Sequence, residues 1–305
     1  MFAGFDTSNY TTSVALFDGE NIIQQKKLLT VKQGERGLRQ SDAVFQHTVN
    51  MPELINSLDL KNTNIRAVGV SNKPRNVEGS YMPCFLVGEN TANAVSAFTL
   101  SPLYKTSHQV GHILSALFSA GRLDLISEKF IAFHLSGGTT EALLVRPDND
   151  EIIKAEIIAQ SSDLKAGQAI DRTGVMLGMQ FPCGKELDRL ACESQKEFKI
   201  KPSFKGLDCS LSGVENKAEK MFCDGEEYKD IAKFVISSIV KAADVMLEKI
   251  TAEYGSMPVI FSGGVSGNSM LQKVIKEKYG AYFAEPQFSC DNAAGVAIYA
   301  YLKSK

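Results

Sequence analysis

Residues 131–145, IAFHLSGGTTEALLV, set five small residues between two apolar runs. Ile131, Ala132 and Phe133 open one strand and residues 142–145 form the next, whereas Ser136, Gly137, Gly138, Thr139 and Thr140 bury almost no apolar area. The same order stands near the start of the chain. Residues 2–30, FAGFDTSNYTTSVALFDGENIIQQKKLLT, read as strand, small polar loop, strand, D-G turn and third strand, and residues 131–160 repeat that order with PDND as the second turn. An internal repeat of this kind implies a duplicated fold: two α/β lobes, each opening on a hairpin that carries a polar loop.

Length and composition agree with two lobes, since 305 residues with 44% hydrophobic content exceed the size at which a single core usually stops growing. A formal charge of −2 gives no global basic footprint of the kind a stand-alone nucleic-acid binder carries, which leaves a local patch or a helper subunit. The N-terminal MFAGFDTSNYTTS has neither a basic nor a long apolar region, and no window of about 18 apolar residues occurs, so the chain reads as cytoplasmic and without a membrane partner. Its six cysteines are scattered with no C-x-x-C pair, which predicts reduced thiols.

Apolar spacing predicts helices over residues 41–58 and 231–254, then a strand at 259–261, a loop at 262–268 and a helix from about Ser269. Asp291 or Asn292 is placed to cap a closing helix. Three small-residue loops end predicted strands: Asp6-Thr7-Ser8, Ser136 to Thr140, and Ser262-Gly263-Gly264. Each reads as a tight turn or as a loop whose backbone amides face an anion. Three in one duplicated frame favour a nucleotide held between two lobes. In SHQVGHILSALFSAG, His108 and His112 are four residues apart. On a helix both imidazoles share a face, as a surface pair, with one in the core, or as two ligands of a metal that then needs a third.

Taken in order, GFDTS, HQVGH, LSGGTTEALL, AGQAIDRTGVMLG, FPCGKELD, SLSGVEN, SGGVSGNSML and SCDNAA resemble the catalytic subunit of tRNA threonylcarbamoyladenosine synthase, formerly called a glycoprotease. The resemblance runs essentially end to end. It implies an α/β fold of two ribonuclease-H-like lobes of the actin, sugar kinase and Hsp70 superfamily with a nucleotide cleft between them. The lobes are expected at residues 1–105, completed by a closing helix at about 291–305, and at residues 106–290. It further implies a transferase that moves a threonylcarbamoyl group from threonylcarbamoyl-adenylate to the adenosine 3′ of the tRNA anticodon, acting with partner subunits. By the same matching, His108, His112 and Asp291 would hold one divalent transition metal, iron or zinc. An adenine nucleotide or acyl-adenylate would meet Leu135, Ser136, Gly137, Gly138 and Thr139 at its phosphate or acyl oxygens, Asp171 and Asp188 at ribose hydroxyls, Gly184 at the sugar, Gly263 and Gly264 at the third loop, and Asn268 at the base or ribose.

The sequence also departs from the family pattern. Thr139 stands where the loop usually has histidine, Leu164 and Gln168 replace carboxylates, and Glu215 replaces a lysine on a surface expected to meet RNA. A carbamoyl-type transferase with another acceptor, or a nucleotide-binding regulatory subunit without turnover, therefore remain as alternative functions. Proteolysis finds no support, because H-x-x-x-H lacks the adjacent Glu of a zincin.

Overall fold

The structure is a computed structural model that describes residues 1–8, 10–31, 38–61 and 63–305. Asn9, the residue after the first small-residue loop, lies outside the described residues. Contacts divide the chain into two units: residues 1–127, 146–155 and 287–305 form the first, and residues 128–145 and 156–286 the second. The first boundary differs from the one expected at 105/106, because the helix carrying His108 and His112 packs on the closing helix of unit 1.

Unit 1 opens with β1 (Phe2–Asp6), β2 (Thr11–Phe17) and β3 (Ile22–Leu28). Phe2, Phe5, Val14, Leu16 and Phe17 are buried, which gives this hairpin its two apolar faces. The D-G turn forms as expected, with Asp18 Oδ1 accepting from the amides of Glu20 and Asn21 at 2.8 and 2.7 Å. Then follow α1 (Gln40–Asn56), β4 (Ala67–Lys73), α2 (Phe85–Thr99), β5 (Leu103–Ser107) and α3 (His108–Ser119). The sheet order is β3-β2-β1-β4-β5, antiparallel between β1 and β2 and parallel from β1 to β4 and β4 to β5.

Unit 2 repeats this plan. It contains β6 (Phe130–Leu135), β7 (Thr140–Asp148), β8 (Ile152–Gln160), α4 (Ala166–Met176), α5 (Gly184–Glu193), β9 (Ser203–Lys205), β10 (Asp208–Ser210), α6 (Ser212–Cys223), α7 (Tyr228–Tyr254), β11 (Val259–Ser262), α8 (Ser269–Tyr279) and β12 (Tyr282–Phe283), although the turn joining β7 to β8 is counted with unit 1. Its main sheet runs β12-β11-β6-β7-β8, again antiparallel at the hairpin and parallel from β6 to β11 and β11 to β12. The duplication read from the two strand-loop-strand segments is therefore present as matching strand orders. Phe133, Phe261 and Phe283 occupy one register across three strands and stack with centroids 4.5 and 5.0 Å apart, and α7 contributes most of the helical core beneath them.

The chain closes with a single turn, α9 (Pro286–Ser289), and α10 (Ala294–Lys303). α10 lies directly on the unit 1 sheet: a Cβ added at Gly4 would come 2.5 Å from the Ala293 oxygen, and one at Gly69 2.1 Å from the Val296 oxygen. Neither expected residue occupies the N-cap position, which is Ala293, although Asn292 just before it accepts from the Ala294 amide through Oδ1 at 3.0 Å. All six cysteines are free thiols. Among the described residues no helix is long and apolar enough to cross a membrane.

One buried charge cluster in unit 2 gives a stability test. Asp244 on α7 is 5% exposed and accepts from Lys278 at 2.6 Å, Tyr279 at 2.8 Å and Lys241 at 2.8 Å. Burial alone would raise its pKa, but these three donors hold it down to about 2. A depressed folded-state pKa contributes stability that is present above the unfolded value and is lost as pH falls through the folded one. Asp244→Asn is expected to destabilise the protein by about 1–3 kcal/mol at neutral pH, since it removes charge-assisted hydrogen bonds. In urea titrations the gap between wild type and variant should close as pH drops from about 4 toward about 2.

Candidate functional site

α3 begins where β5 ends, and Ser107 caps it by accepting from the Val110 amide at 3.3 Å. The cap fixes the first turn, which carries His108 and His112 on one face with ring centroids 4.3 Å apart. α10 then crosses α3 with almost no side chain between them: a Cβ on Gly295 would lie 1.7 Å from the Gly111 oxygen. That close crossing delivers the loop ahead of α10 to the histidines. Asn292 pins the loop by accepting from Ser115 Oγ at 3.1 Å and donating to the Cys290 carbonyl at 2.6 Å. Asp291 Oδ1 lies 3.1 Å from His112 Nε2 and 3.5 Å from His108 Nε2, while Oδ2 accepts from Thr11 Oγ1 at 3.4 Å.

One ligand atom from each of His108, His112 and Asp291 falls within 4.8 Å of the other two, so the group could hold a metal ion. Two imidazoles and a carboxylate are the donors of three-ligand transition-metal sites that keep a position open for a substrate. The tautomer agrees. Asp6 Oδ2 is 2.8 Å from His108 Nδ1, and a carboxylate can only accept there from a ring N–H, which fixes the ring with Nε2 toward Asp291. Asp6 is 1% exposed and also accepts from Ser71 Oγ at 2.6 Å and the Ser8 amide at 2.9 Å.

Electrostatics point the same way. Burial opposes charge on His108, yet the Asp6 and Asp291 carboxylates raise its imidazole to about 10. Asp291 is held well below the usual carboxylate range, because hydrogen bonds and charge from His108 and His112 outweigh its burial. A divalent cation there would compete with protons for the imidazoles and the Asp291 carboxylate, so its affinity is expected to fall at acid pH.

Of the two readings of the first small-residue loop, its described bonds fit the tight turn. The Ser8 amide is bonded to Asp6, and Thr7 Oγ1 donates to the Cys84 carbonyl at 2.9 Å. The sequence signal for Asp6 was its position at the end of β1, but nothing local named His108 as its partner.

In unit 2 the second loop remains open. Ser136 and Thr139 close it, the Ser136 amide donating to the Thr139 carbonyl at 2.7 Å and the Thr139 amide to Ser136 Oγ at 3.1 Å. Gly137 and Gly138 are exposed, with nothing within 4 Å of where a Cβ would stand. The first turn of α4 lies against the loop so closely that a Cβ on Gly167 would meet the Gly137 nitrogen at 2.6 Å. Leu135 is buried beneath it, and Gly263, at φ +91°, abuts the Leu135 carbonyl. The third loop winds into one 3-10 turn, Gly264–Gly267, in which Gly264 is unobstructed.

Asp171 and Gly184 are brought together, since Asp171 Oδ1 accepts from the amide of Cys183, the residue before Gly184, at 2.9 Å. Burial pushes the Asp171 carboxyl up, partly offset by that hydrogen bond. Asp188 and Asn268 also meet, but through each other. Asn268 Nδ2 donates to Asp188 at 2.7 Å, the Ser269 amide donates to Asp188 at 3.0 Å, and Asn268 Oδ1 caps α8 by accepting from Leu271 at 2.9 Å.

The departures have structural partners. Leu164 is buried in the unit 2 core, and Gln168 Oε1 accepts from the Lys165 amide at 3.2 Å, closing the α4 N-terminus as a glutamate at that position would. Glu215 is paired, Arg172 Nη1 lying 3.1 Å from both of its oxygens. Asp163, not singled out by sequence, accepts from Ser210 Oγ and the Leu211 and Ser212 amides at 2.6, 2.8 and 3.3 Å, ahead of α6.

The sequence model of the family described as TsaD, tRNA N6-adenosine threonylcarbamoyltransferase, matches residues 20–298, and the chain belongs to that family of transferases. The tRNA N6-adenosine threonylcarbamoyltransferase of Riemerella anatipestifer is 26% identical, covering 99% of this chain and 92% of the relative. That of Christiangramia forsetii is 30% identical over 73% of this chain and 69% of the relative. Among solved structures, component A of (R)-2-hydroxyglutaryl-CoA dehydratase from Acidaminococcus fermentans superposes with a TM-score of 0.59 at 16% identity, covering 99% of this chain and 98% of the other. Full-length HypF in the phosphate- and nucleotide-bound form gives 0.61 at 14%, covering 99% and 55%. At these identities the likeness shows the fold alone.

Purified protein is expected to carry about one transition-metal ion per chain, and His112→Ala to lose most of it, because two ligands seldom retain such an ion. Asp6→Asn should keep the fold but weaken metal affinity by about 10- to 100-fold through loss of the imidazole's orienting carboxylate. Elemental analysis and competition with a chromogenic chelator check both, and equal metal in wild type and His112→Ala rules the site out.

Proposed function

We propose that the chain transfers a threonylcarbamoyl group from threonylcarbamoyl-adenylate to the exocyclic nitrogen of the adenosine 3′ of the anticodon in tRNA. The observation that carries this reading is the convergence of His108, His112 and Asp291 in a member of the family, since a regulatory subunit without turnover has no need to keep a ligand set whose orienting carboxylate, Asp6, is also in place. The ion is iron or zinc, either of which suits two imidazoles and a carboxylate. When bound, it would supply Lewis-acid stabilisation of charge developing on the carbonyl and the leaving phosphate.

The chain's own residues do the rest. Within unit 1, Asp6 holds the His108 ring, and Asn292 holds the loop that carries Asp291 through Ser115 and the Cys290 carbonyl. Within unit 2, the exposed Gly137-Gly138 tip would meet phosphate or acyl oxygens through backbone amides, with no side chain at either position. Asp171 accepts from a ribose hydroxyl, and Gly184 leaves room for the sugar. Asp188 and Asn268, already linked, present a fixed polar edge to the ribose or base. Leu135, Ser136 and Thr139 shape the loop, and Gly263 and Gly264 keep the third loop close to it.

We place the activity in the cytoplasm, with tRNA presented by partner subunits that supplement a chain of net charge −2. Thr139, standing where the family loop has histidine, favours as second reading a carbamoyl-type transfer to a different acceptor.

Mass spectrometry of tRNA nucleosides from a strain lacking the protein, with any other family member left in place, should show loss of threonylcarbamoyladenosine. A transfer assay with the purified chain and its cognate partners should restore it. No transfer under any partner combination, together with unchanged nucleosides, would overturn the tRNA reading. An adenylate analogue is expected to raise the melting temperature by mass action, and Asp171→Ala to weaken binding about tenfold or more, the usual cost of a lost charged hydrogen bond. An unchanged melting temperature with every adenine nucleotide tried would remove the nucleotide assignment.

A further inference from the structure

Unit 2 carries a row of lysines that the transfer chemistry does not use. In residues 197–205, EFKIKPSFK, burial alternates. Phe198, Ile200 and Phe204 turn inward against the unit 2 core, while Lys199, Lys201 and Lys205 are exposed. Phe198 is fixed by Phe234 on α7, with ring centroids 5.5 Å apart. The apolar side chains thus anchor the segment, and little ordering entropy remains to be lost when something binds its outer face.

Among the described residues, none of the three lysines forms a salt bridge, whereas Lys196 beside them is held by Glu226 at 2.7 Å and Asp230 at 3.6 Å. Lys249, over the Phe204 ring at 5.5 Å, adds a fourth cation at the far end. Two acids flank the row. Glu197 heads it, and Asp208 is the cross-strand partner of Lys205, with its carboxylate already accepting from the Gln160 amide at 2.8 Å.

Lys199 and Lys201 stand two residues apart and Lys205 four residues further on, all exposed, so one face of the segment presents separated cations suited to a polymer with repeated negative charge. A protein partner is disfavoured, because the aromatic side chains that anchor protein interfaces face inward here and lysine is depleted at such interfaces. We infer that Lys199, Lys201 and Lys205 form the RNA-docking edge of unit 2, taking the sugar-phosphate backbone of the tRNA. The inference rests on the tRNA reading above and adds to it the surface that meets the substrate. It also relocates the contact: Glu215 is neutralised by Arg172, so the sign reversal there does not set the affinity.

The test is filter binding of an unmodified tRNA transcript to the full chain across a salt series. It compares wild type with the triple variants K199A/K201A/K205A and K199R/K201R/K205R. The alanine variant should lower the slope of log K against log salt by about 2 to 3, equivalent to about a thirtyfold smaller loss of affinity over a fourfold rise in salt. The arginine variant should bind as wild type does, and all three proteins should keep the same metal content and adenylate-induced thermal shift. Equal slopes for wild type and the alanine variant, or no wild-type binding even at low salt, overturn the docking edge. So does polyglutamate competing as well as RNA of equal charge, which would mark an acidic-protein site. Failure of transfer while the lysine-dependent binding persists overturns the transfer reading instead, so the two failures are distinguishable.

Discussion

Gly295 of α10 sits against the backbone of Gly111 in α3, and the same helix rests on Gly4 and Gly69 in the sheet, with no space for even a methyl group at any of these contacts. Backbone-to-backbone packing of this kind fixes distances that side chains would leave adjustable. Every feature of the unit 1 site follows from it. Asp291 stands three residues ahead of α10, His108 and His112 lie one turn apart at the start of α3, and Asp6 ends β1, so seating the helix on the sheet brings all four together. Replacing Gly295 with alanine would separate α10 from α3 before it disturbed any ligand directly.

Much of this was legible in the sequence because duplication leaves a local trace. The pattern of strand, small-residue loop, strand and turn recurs at residues 2–30 and 131–160, and both copies form sheets of the same strand order. The spacing of His108 and His112 placed them on one helical face, as found. Pairings between distant segments left no such trace. Nothing near Asp6 says that its carboxylate faces residue 108, and Glu215 reads as an unpaired acid until α4 places Arg172 beside it. The contact-based units divide elsewhere than at residue 105, since α3 follows β5 without a break and packs on α10. Asn268 and Asp188 were expected to face a ligand, and the structure shows them also satisfying each other and the α8 N-terminus.

Net charge is a poor guide to where this chain can meet a polyanion. A balance of −2 averages over acids that are already occupied, among them Asp163 ahead of α6, Asp244 beneath its lysines and Glu215 under Arg172. Bases left without such partners count for more. The alternation in residues 197–205 concentrates three of them on one rigid edge, and a surface cation held in place by inward aromatics differs from one on a mobile loop even when the sum of charges is identical.

Unit 1 is discontinuous in the chain: its sheet is complete once β5 has been made, but the helix that covers β1 and β4 belongs to residues 287–305. During synthesis at the ribosome, the whole of unit 2 must therefore emerge while one face of the unit 1 sheet waits for its cover. The strip of backbone around Gly4 and Gly69, flanked by Phe2 and Phe17, stays open to water or to a chaperone for that interval. Contacts between residues as far apart as Thr11 and Asp291 close large loops and form late. The group of His108, His112 and Asp291 thus assembles late, since a chain interrupted before residue 291 can fold its first strands yet cannot bring the three together.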